Sequence, residues 1–310
     1  MNNNNDLLTT YTTLRSQGLS EQSIAAIIGI PRTTMRYKIH KLIKSQPSHT
    51  DFPSGPKVLL FDLETAPTLA YVWGRWQQNV STVQVEHEGG YILSAAWKWL
   101  GDDVVHCKVS EDPISGNDYN VCEALSEAIE QADIIIAHNL IKFDYPMLLT
   151  RLIKNNLSPL KIIKKIDTLK IAKKHFRFSS NRLDDLGIFL NVGRKQETSG
   201  FELWKSVVKG DSQALIDMQT YNIQDVVLLE KVYMKLRAYD NDPSINMGLY
   251  YKDNLTRCPC CGSADITTSE NSVYTNVSEY QEYVCNSCGS RARGRTVQNS
   301  KEKRKVLLIQ

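Results

Sequence analysis

The pattern of apolar positions divides the chain into a helical start, an α/β middle and a β-rich end. Short apolar runs predict strands at about residues 57–64, 91–99, 104–110 and 133–137. Apolar positions at helical spacing predict helices at about residues 119–131, 145–154 and 212–239. Strands that come first, with helices interleaved later, indicate an α/β layer fold for residues 57–240.

The first 44 residues predict three short helices, at 7–17, 20–29 and 32–44. A helix of small residues, a turn at Gly29 and a basic helix resemble a helix-turn-helix DNA-binding domain. The residues that would face nucleic acid are Arg32, Thr33, Thr34, Arg36 and Tyr37. A small helical bundle that contacts protein is the alternative. Residues 45–56 are polar, contain three prolines and predict a linker.

Two carboxylates, Asp62 and Glu64, follow the apolar residues of the first predicted strand. Side chains alternate across a strand, so both point the same way. Two acids at the end of a buried strand repel each other and are costly to bury, and a cation between them removes that cost. Solvated acids at a strand end are the alternative.

Two further acids lie in fitting positions. Asp144 opens the predicted helix that follows the strand at 133–137. Tyr221 and Asp225 are four residues apart in the last long helix, so they share a face. That face borders the core, because Asp225 is flanked by apolar residues. A capping or surface role is the alternative for each Asp.

Together these motifs resemble the DEDD superfamily of 3′–5′ exonucleases, which have a ribonuclease-H-like fold. Asp62-x-Glu64 matches the first motif and Asn139 with Phe143-Asp144 the second. Tyr221-x-x-x-Asp225 matches the third in its tyrosine form, as in the exonuclease domains of family B DNA polymerases.

The resemblance covers about residues 57–240. It includes the stretches Asp167-Thr-Leu-Lys-Ile-Ala and Arg182-Leu-Asp-Asp-Leu-Gly. More narrowly, residues 61–67 together with residues 97–101 are similar to stand-alone exonucleases of phage type.

The resemblance implies phosphodiester hydrolysis by two Mg²⁺ or Mn²⁺ ions, which prefer carboxylate oxygens. The implied metal ligands are Asp62, Glu64, Asp144 and Asp225. Tyr221 would orient the attacking water, since tyrosine is normally protonated near neutral pH. The implied substrate contacts are Leu63 and Thr65 at the terminal nucleotide, with Asn139 and Phe143 beside them.

Four cysteines form two Cys-x-x-Cys knuckles, Cys258 with Cys261 and Cys285 with Cys288. Tetrahedral zinc favours four thiolates, and a glycine after each knuckle lets the backbone turn around a bound sulfur. Residues 254–293 therefore resemble a zinc ribbon with one structural Zn²⁺. Cys261 is preferred to Cys260 because it completes the spacing. An unligated cysteine cluster is the alternative.

The net charge of +3 is unevenly distributed. Residues 1–50 carry six Lys/Arg against two acids, and residues 291–305 carry seven against one, so the middle of the chain is acidic. Nucleic-acid-binding modules tend to be basic. Arg291, Arg293 and the tail at 294–310 would extend a DNA-binding surface, with a solvated tail as the alternative.

Trp73 and Trp76, next to Arg75, lie between the first two long strands. They either stack on the bases of a single strand or pack under a loop. Residues 195–205, which include Trp204, form a candidate loop on the substrate side.

The length of 310 residues allows one catalytic domain with small appendages. No apolar run is long enough to span a membrane, and the start lacks a signal-peptide pattern. The seven cysteines, four of them paired as metal ligands, argue against a secreted disulfide scaffold. We therefore expect a cytoplasmic protein, in the host cytoplasm if it is phage-encoded.

The predicted function is metal-dependent 3′–5′ exonuclease activity on DNA, as a single strand or a 3′ end, with RNA as a further substrate. A separate DNA polymerase or replication protein is the expected protein partner. A transposase- or resolvase-like enzyme also combines these modules, but it usually lacks Asp-x-Glu coupled to Tyr-x-x-x-Asp. A non-catalytic DNA-binding protein is the third alternative, against which the intact motif residues argue.

Overall fold

The structure, a computed structural model, describes residues 10, 11, 14, 21–32, 34, 35, 38, 55–242 and 244–309. The chain divides into two compact units, residues 1–54 and 55–310, and each is described by itself. In the first unit, helix α1 (Glu21–Ile28) packs Ile24 and Ala25 against Met35. This helix agrees with the predicted helix at 20–29. Most of the other two predicted helices lies outside the described residues.

A five-stranded mixed sheet forms the centre of the second unit. Its strands are β1 (Val58–Thr65), β4 (Ile92–Trp99), β5 (Val105–Val109), β6 (Ile134–Ala137) and β7 (Lys164–Asp167), and a separate short pair is formed by β2 (Leu69–Ala70) and β3 (Val85–His87). The spatial order is β5-β4-β1-β6-β7. The pairs β5-β4 and β4-β1 are antiparallel, and the pairs β1-β6 and β6-β7 are parallel.

Helices cover both faces of this sheet. They are α2 (Tyr119–Gln131), α3 (Asp144–Lys154), α4 (Thr168–His175), α5 (Leu183–Phe189), α6 (Phe201–Val208) and α7 (Ser212–Leu236). Helices α2 and α3 pack on one face, and α4, α5 and α7 pack on the other. The fold is therefore a mixed α/β fold with a central sheet between helical layers, consistent with a ribonuclease-H-like fold.

The alternation of side chains along β1 decides where the acidic residues point. Val58 and Leu60 are buried in the layer that contains α7, whereas Leu59, Phe61 and Leu63 are buried in the layer that contains α2 and α3. Because successive side chains alternate, Asp62 follows Leu60 onto the α7 face. Glu64 follows it onto the same face.

A buried ion pair joins the second layer to the sheet. The Asp118 carboxylate, fully buried before α2, accepts hydrogen bonds from Arg151 Nε at 2.6 Å and Asn155 Nδ2 at 2.7 Å. It also accepts the backbone N–H of Ile92 at 2.8 Å. All its contacts come from structural elements of the core, and the pair therefore fixes α3 and β4 against α2.

The C-terminal part is a second, three-stranded antiparallel sheet. Its strands are β8 (Ile266–Tyr274), β9 (Glu279–Cys285) and β10 (Arg291–Val297), in the order β10-β9-β8, followed by the short helix α8 (Lys301–Lys305). The first cysteine knuckle contacts the end of α7, where Cys260 Sγ donates to the Arg237 carbonyl at 2.8 Å. Met247 N donates to Pro259 O at 2.8 Å. The domain boundaries proposed from sequence remain predictions.

The strands and helices predicted for residues 57–240 are found in the structure, but the sequence does not predict strands β2, β3 and β7 or helices α4, α5 and α6. Strand β7 is missed because Lys164-Lys-Ile-Asp is not an apolar run; among the described strands it pairs with β6, at the edge of the sheet. The last predicted helix, 212–239, ends at Leu236 and continues as a 3₁₀ turn, Arg237–Tyr239. Within the described part of the chain, no helix combines the length and the apolar character that crossing a membrane requires.

Candidate active site

Strand β1 and helix α7 bring three carboxylates together. Oxygen atoms of Asp62, Glu64 and Asp225 all lie within 4.8 Å of one another. The first two come from the α7 face of β1. Asp225 lies on α7 among buried neighbours such as Val226 and Leu229 and is itself fully buried. The helix packs against the sheet through an apolar stripe, and this packing carries Asp225 to the end of β1.

Neighbouring side chains hold the carboxylates of β1 in place. Asn222 Nδ2 donates to Asp62 Oδ2 at 2.8 Å, and Asn222 Oδ1 accepts a hydrogen bond from the buried Ser94 hydroxyl at 2.9 Å. Trp204 Nε1, from α6, donates to Glu64 Oε2 at 3.1 Å. A buried amide with both of its ends bonded is strongly oriented. Asn222 and Trp204 therefore fix the orientation of the two carboxylates.

Asp144, the fourth predicted carboxylate, begins α3 and is almost completely buried, with 1 % of its surface exposed. It is not a member of the group of three whose oxygens lie within 4.8 Å of one another. The negative charge of Asp62 nevertheless contributes to raising its pKa, after burial, which is the larger cause. Asp144 is therefore an electrostatic neighbour of the cluster.

Lys195 contacts the cluster from the segment between α5 and α6. Its ammonium group donates to Tyr221 Oη at 2.9 Å and pairs with Asp225 Oδ2. The Tyr221 ring also contacts Trp204 edge to face, with ring centroids 5.7 Å apart. The Lys195 ammonium thus bridges the two α7 residues singled out from the sequence.

Burial and mutual repulsion shift the protonation of the whole cluster. Burial first, and the Asp225 charge second, raise the pKa of Asp62 to about 7. Burial and the charges of Asp62 and Asp225 raise the pKa of Glu64 well above its usual value. Burial, followed by the Asp225 charge, raises the pKa of Tyr221 to about 12, so its hydroxyl is protonated at neutral pH.

The donor set fits divalent metal ions. Asp144 Oδ2 and Asp225 Oδ1 are buried, and neither has a hydrogen-bond partner among the described residues. Buried carboxylate oxygens without partners are costly, and a hard cation removes the cost. The residues that would hold such ions are Asp62, Glu64 and Asp225, with Asp144 beside them.

The predicted substrate contacts differ in their access to the site. Phe143 and Asn139 lie in the turn between β6 and α3, and 37 % of Phe143 is exposed. Asn139 has a φ of 74°, and its backbone N–H donates to the buried Asp167 carboxylate at 3.1 Å. Thr65 is half-buried at the end of β1.

Leu63 is placed differently from the expectation. Its side chain is buried in the layer of α2 and α3, on the face opposite Asp62, because residue parity along β1 sends it there. The side chain therefore packs in the core, and only the backbone of Leu63 remains near the carboxylates.

A cavity of about 820 Å³ opens beside the cluster. Asp62 and Lys195 line one side, and Lys173, Ser179 and Arg182 are among the residues that line the rest. His138 holds this wall in place, since its two ring nitrogens contact Thr168 Oγ1 at 2.9 Å and Asn181 O at 2.8 Å. The cavity volume is within the range of small-molecule sites.

The four knuckle cysteines form a second group. The sulfurs of Cys258, Cys261, Cys285 and Cys288 all lie within 4.8 Å of one another. Cys261 Sγ lies 3.6 Å from Cys285 Sγ, and Cys258 Sγ lies 3.7 Å from Cys288 Sγ. Both distances are near the separation of about 3.8 Å that tetrahedral zinc with Zn–S bonds of about 2.3 Å requires. This donor set fits one structural Zn²⁺. Cys260 is outside the group and bonds to the Arg237 carbonyl.

The knuckles have the same backbone geometry. Gly262 and Gly289 have φ values of 77° and 76°, and each donates its N–H to the carbonyl of the first cysteine of its knuckle. This left-handed conformation favours glycine. The glycines noted in the sequence therefore shape both turns.

The predicted surface contacts lie partly within the described residues. Arg32 and Thr34 are exposed, whereas Thr33, Arg36 and Tyr37 have side chains outside the described part. Trp73 and Trp76 are 99 % and 86 % exposed, so they do not pack under a loop. Arg291 and Arg293 are exposed on β10, where Arg291 pairs with Glu282 and Arg293 lies over the Tyr280 ring.

Several functional neighbours were not identified as such from the sequence. Asn222 is adjacent to Tyr221 and lies on the helix face of Asp225, so its position in the motif could have indicated it. Trp204 lies in residues 195–205, which the sequence predicts as a loop, but residues 201–205 form the start of α6. Nothing in the pattern paired Trp204 with Glu64. Asp167 lies in a stretch that the resemblance covers, but nothing in the sequence paired it with Asn139, and Ser94 gave no separate signal, because their partners are distant in sequence.

Comparison with known families supports the ribonuclease-H-like fold. A family model described as RNase_H superfamily matches residues 82–237, just over half of the chain. A comparison with curated proteins gives no match.

We predict that the carboxylate cluster makes the metal-free protein less stable as the pH rises. The pKa of Asp62 rises from 3.8 in the unfolded chain to about 7 in the fold. Between these values the folded state binds more protons, so the stability contributed by protonated Asp62 is lost as pH rises through the folded pKa. Thermal unfolding of the zinc-loaded wild type, without added Mg²⁺ or Mn²⁺, should show this loss.

The matched control is Asp62→Asn, which cannot titrate and resembles the protonated acid. Its melting temperature relative to the wild type should increase from about pH 5 to about pH 8. Added Mg²⁺ should reduce the pH dependence of the wild type, because metal ligands must be deprotonated. Parallel melting curves for the two proteins across this range would contradict the prediction.

We also predict that the adjacent residues Cys260 and Cys261 differ in their importance for zinc binding. Cys261→Ser should lose zinc, because structural zinc requires its fourth thiolate. Cys260→Ser should keep zinc, because Cys260 bonds to Arg237 instead. Zinc content per chain after gel filtration, measured by atomic absorption, tests both variants; retained zinc in Cys261→Ser together with loss in Cys260→Ser would reverse the assignment.

Proposed function

The chain belongs to the RNase H superfamily, and on that premise we propose that it is a metal-dependent 3′–5′ exonuclease that hydrolyses DNA. The observation that carries the proposal is the convergence of Asp62, Glu64 and Asp225, with buried Asp144 beside them. The four acids and Tyr221 occur in the order and spacing that the exonuclease motifs require. The polarity of cleavage rests on that resemblance.

The side chains of the site have separable tasks. When bound, two divalent ions would activate water and neutralise charge at phosphorus. Asn222 and Trp204 hold the carboxylates of Asp62 and Glu64 in the orientation in which they would bind the ions. Tyr221 is protonated at neutral pH because its pKa is raised. Its hydroxyl group donates a hydrogen bond that orients the attacking water.

The substrate is proposed to be a DNA strand with a free 3′ end. Residues 71–83 form an arm between β2 and β3, and Tyr71, Trp73 and Trp76 are its exposed aromatics. In the sequence of this arm Arg75 is the charged residue and no acid occurs. Aromatic rings with a cation suit unpaired bases and a phosphate backbone.

The N-terminal segment and the ribbon are proposed as further contacts to nucleic acid. Arg32 and Thr34 in the first unit and Arg291 and Arg293 on β10 are the described members of these surfaces. We further propose that the protein acts together with a separate DNA polymerase or replication protein. It would accept RNA as a second substrate and would be located in the cytoplasm.

We predict that Asp62→Asn abolishes cleavage and that Tyr221→Phe slows it by about 10²–10⁴-fold. Asparagine removes a charged metal ligand, whereas phenylalanine removes only the orienting hydroxyl. The measurement is single-turnover cleavage of 5′-labelled and 3′-labelled DNA and RNA strands with Mg²⁺, Mn²⁺ or chelator.

Stepwise shortening of the 5′-labelled strand is the result expected of 3′–5′ exonuclease action. Strand joining or cleavage at an internal site would instead favour a transposase- or resolvase-like enzyme. DNA binding without metal-dependent cleavage would leave only a DNA-binding role. Full activity of Asp62→Asn would contradict the assignment of the carboxylates.

We predict that the aromatic arm, residues 71–83, contributes to the binding of DNA strands and not to the binding of single nucleotides. Stacking is worth about 1–3 kcal/mol per base, so Trp73→Ala should weaken binding of a single-stranded oligonucleotide about 5–150-fold. Hydrolysis of the p-nitrophenyl ester of thymidine 5′-monophosphate should be unchanged, because that ester has no neighbouring base to stack.

Fluorescence titration and the ester assay together check the arm. Trp73→Phe should retain most of the affinity, because its ring still stacks. Val83→Ala is a matched control, since Val83 is equally exposed on the same arm but is aliphatic. Unchanged oligonucleotide affinity in Trp73→Ala and Trp76→Ala would show that the arm does not bind the strand.

A further inference from the structure

The acidic cluster already contains a cation of the chain itself. Lys195 Nζ pairs with Asp225 Oδ2 and contacts Tyr221 Oη at 2.9 Å. The side chain is mostly buried, with 28 % exposed, and Asp225 is completely buried. The ammonium group therefore occupies one of the carboxylate oxygens that a divalent ion would use.

The Lys195 ammonium group and a divalent ion compete for Asp225. A lysine ammonium and a divalent ion attract the same carboxylate but repel each other, and the repulsion is strong at a buried position. A single Asp225 oxygen, Oδ1, has no partner among the described residues, while Oδ2 is taken by Lys195. Full use of Asp225 by a metal ion therefore requires the ammonium to leave.

The segment around Lys195 allows that exchange. Residues 191–200 lie between α5 and α6 and contain no helix or strand. Gly193 and Gly200 flank Lys195 with φ values of 139° and 63°, a backbone that glycine adopts without strain. The Lys195 N–H donates to Asp184 Oδ1 at 2.6 Å, which anchors the main chain. The ammonium group lies on a flexible four-carbon stem, which can rotate about an anchored backbone.

The cavity beside Asp62 can accommodate the displaced ammonium group. Lys195 also lines the cavity of about 820 Å³ beside Asp62. Lys173, Ser179 and Arg182 line the same cavity, and they offer donors to a phosphate. Asp184, another lining residue, already accepts the backbone N–H of Lys195. A rotation of the Lys195 side chain into this space would place its charge next to a phosphate oxygen of a bound strand.

We propose that Lys195 is an internal counter-ion of the metal-free site, which a divalent ion must displace from Asp225 and which a substrate phosphate then captures in the neighbouring cavity. The proposal rests on the proposed function. It adds that metal and nucleic acid bind with positive coupling, because the phosphate removes the competitor of the metal. By linkage, metal must then tighten nucleic-acid binding by the same factor.

The first experiment measures Mn²⁺ affinity of the zinc-loaded full-length protein by electron paramagnetic resonance, without nucleic acid. Lys195→Met should bind Mn²⁺ more tightly than the wild type by about 5-fold or more, the usual lower bound for coupled sites. Lys195→Arg keeps the charge and should stay close to the wild type. Lys205→Met is the matched control, because Lys205 pairs with Glu202 on the surface of α6.

The second measurement repeats the titration with an oligonucleotide whose phosphorothioate linkages resist hydrolysis. The Mn²⁺ affinity of the wild type should rise, and that of Lys195→Met should change little, since its competitor is already absent. Without added divalent ions, the melting temperature of the zinc-loaded Lys195→Met should be lower than that of the wild type and should gain more from Mn²⁺. Lys195→Gln serves if Lys195→Met does not fold.

The outcomes distinguish the two proposals. If Mn²⁺ binds the wild type and is lost in Asp62→Asn, but Lys195→Met shows equal or weaker affinity, the counter-ion role is wrong and the metal site stands. If neither the wild type nor Lys195→Met binds Mn²⁺, the proposed metal site fails and the counter-ion role fails with it.

Discussion

The repulsion among buried carboxylates is the constraint on which the candidate site depends. Asp62, Glu64 and Asp225 lie within 4.8 Å of one another, and Asp144 is buried beside them. Such a group is unfavourable when fully ionised, because burial and like charges both oppose deprotonation. The fold responds with hydrogen bonds from Asn222 and Trp204 and with the ammonium of Lys195. These contacts orient the oxygens and leave Asp144 Oδ2 and Asp225 Oδ1 without partners among the described residues, and hard divalent cations fit such a donor set.

The two layers of apolar packing make this arrangement possible. Leu59 and Phe61 fix one face of β1 against α2 and α3, and Leu60 fixes the other against α7. Every second residue must then face α7, and Asp62 and Glu64 have that parity. Glu230 of α7 pairs with Lys98 of β4 and accepts the N–H of Gly101, just after β4, at 2.7 Å. These contacts hold α7 against the sheet. The rigidity of the carboxylates is therefore a consequence of core packing and not of the site alone.

The protein separates two kinds of metal chemistry along its chain. The site at β1 and α7 offers carboxylate oxygens, which suit hard divalent ions, whereas the ribbon offers four thiolates, which suit zinc. The ribbon is nevertheless joined to the catalytic fold, since Cys260 bonds to the carbonyl of Arg237 just after α7. The surface row of arginines on β10 belongs to the same unit as the acidic cluster.

The sequence by itself determined the parts of this protein that depend on local pattern. The period of two in β1 fixed the common direction of Asp62 and Glu64, and the spacing of four placed Tyr221 and Asp225 on one helix face. The cysteine spacing indicated both knuckles, because ligand geometry requires two residues between paired thiolates. The family match and the mixed α/β fold agree with the ribonuclease-H-like fold predicted from the sequence.

Only the tertiary structure decided which distant groups meet. Strand β7 depends on pairing with β6 and has no apolar run of its own, and the parity of Leu63 buries its side chain away from the cleft. Lys195 and Trp204 come from a segment whose local sequence carries no signal for the carboxylates they contact. Long-range contacts of this kind follow from how helices and loops pack over the sheet. A pattern read along the chain therefore located the acids, and the packing of the folded chain supplied their counter-charge and their orientation.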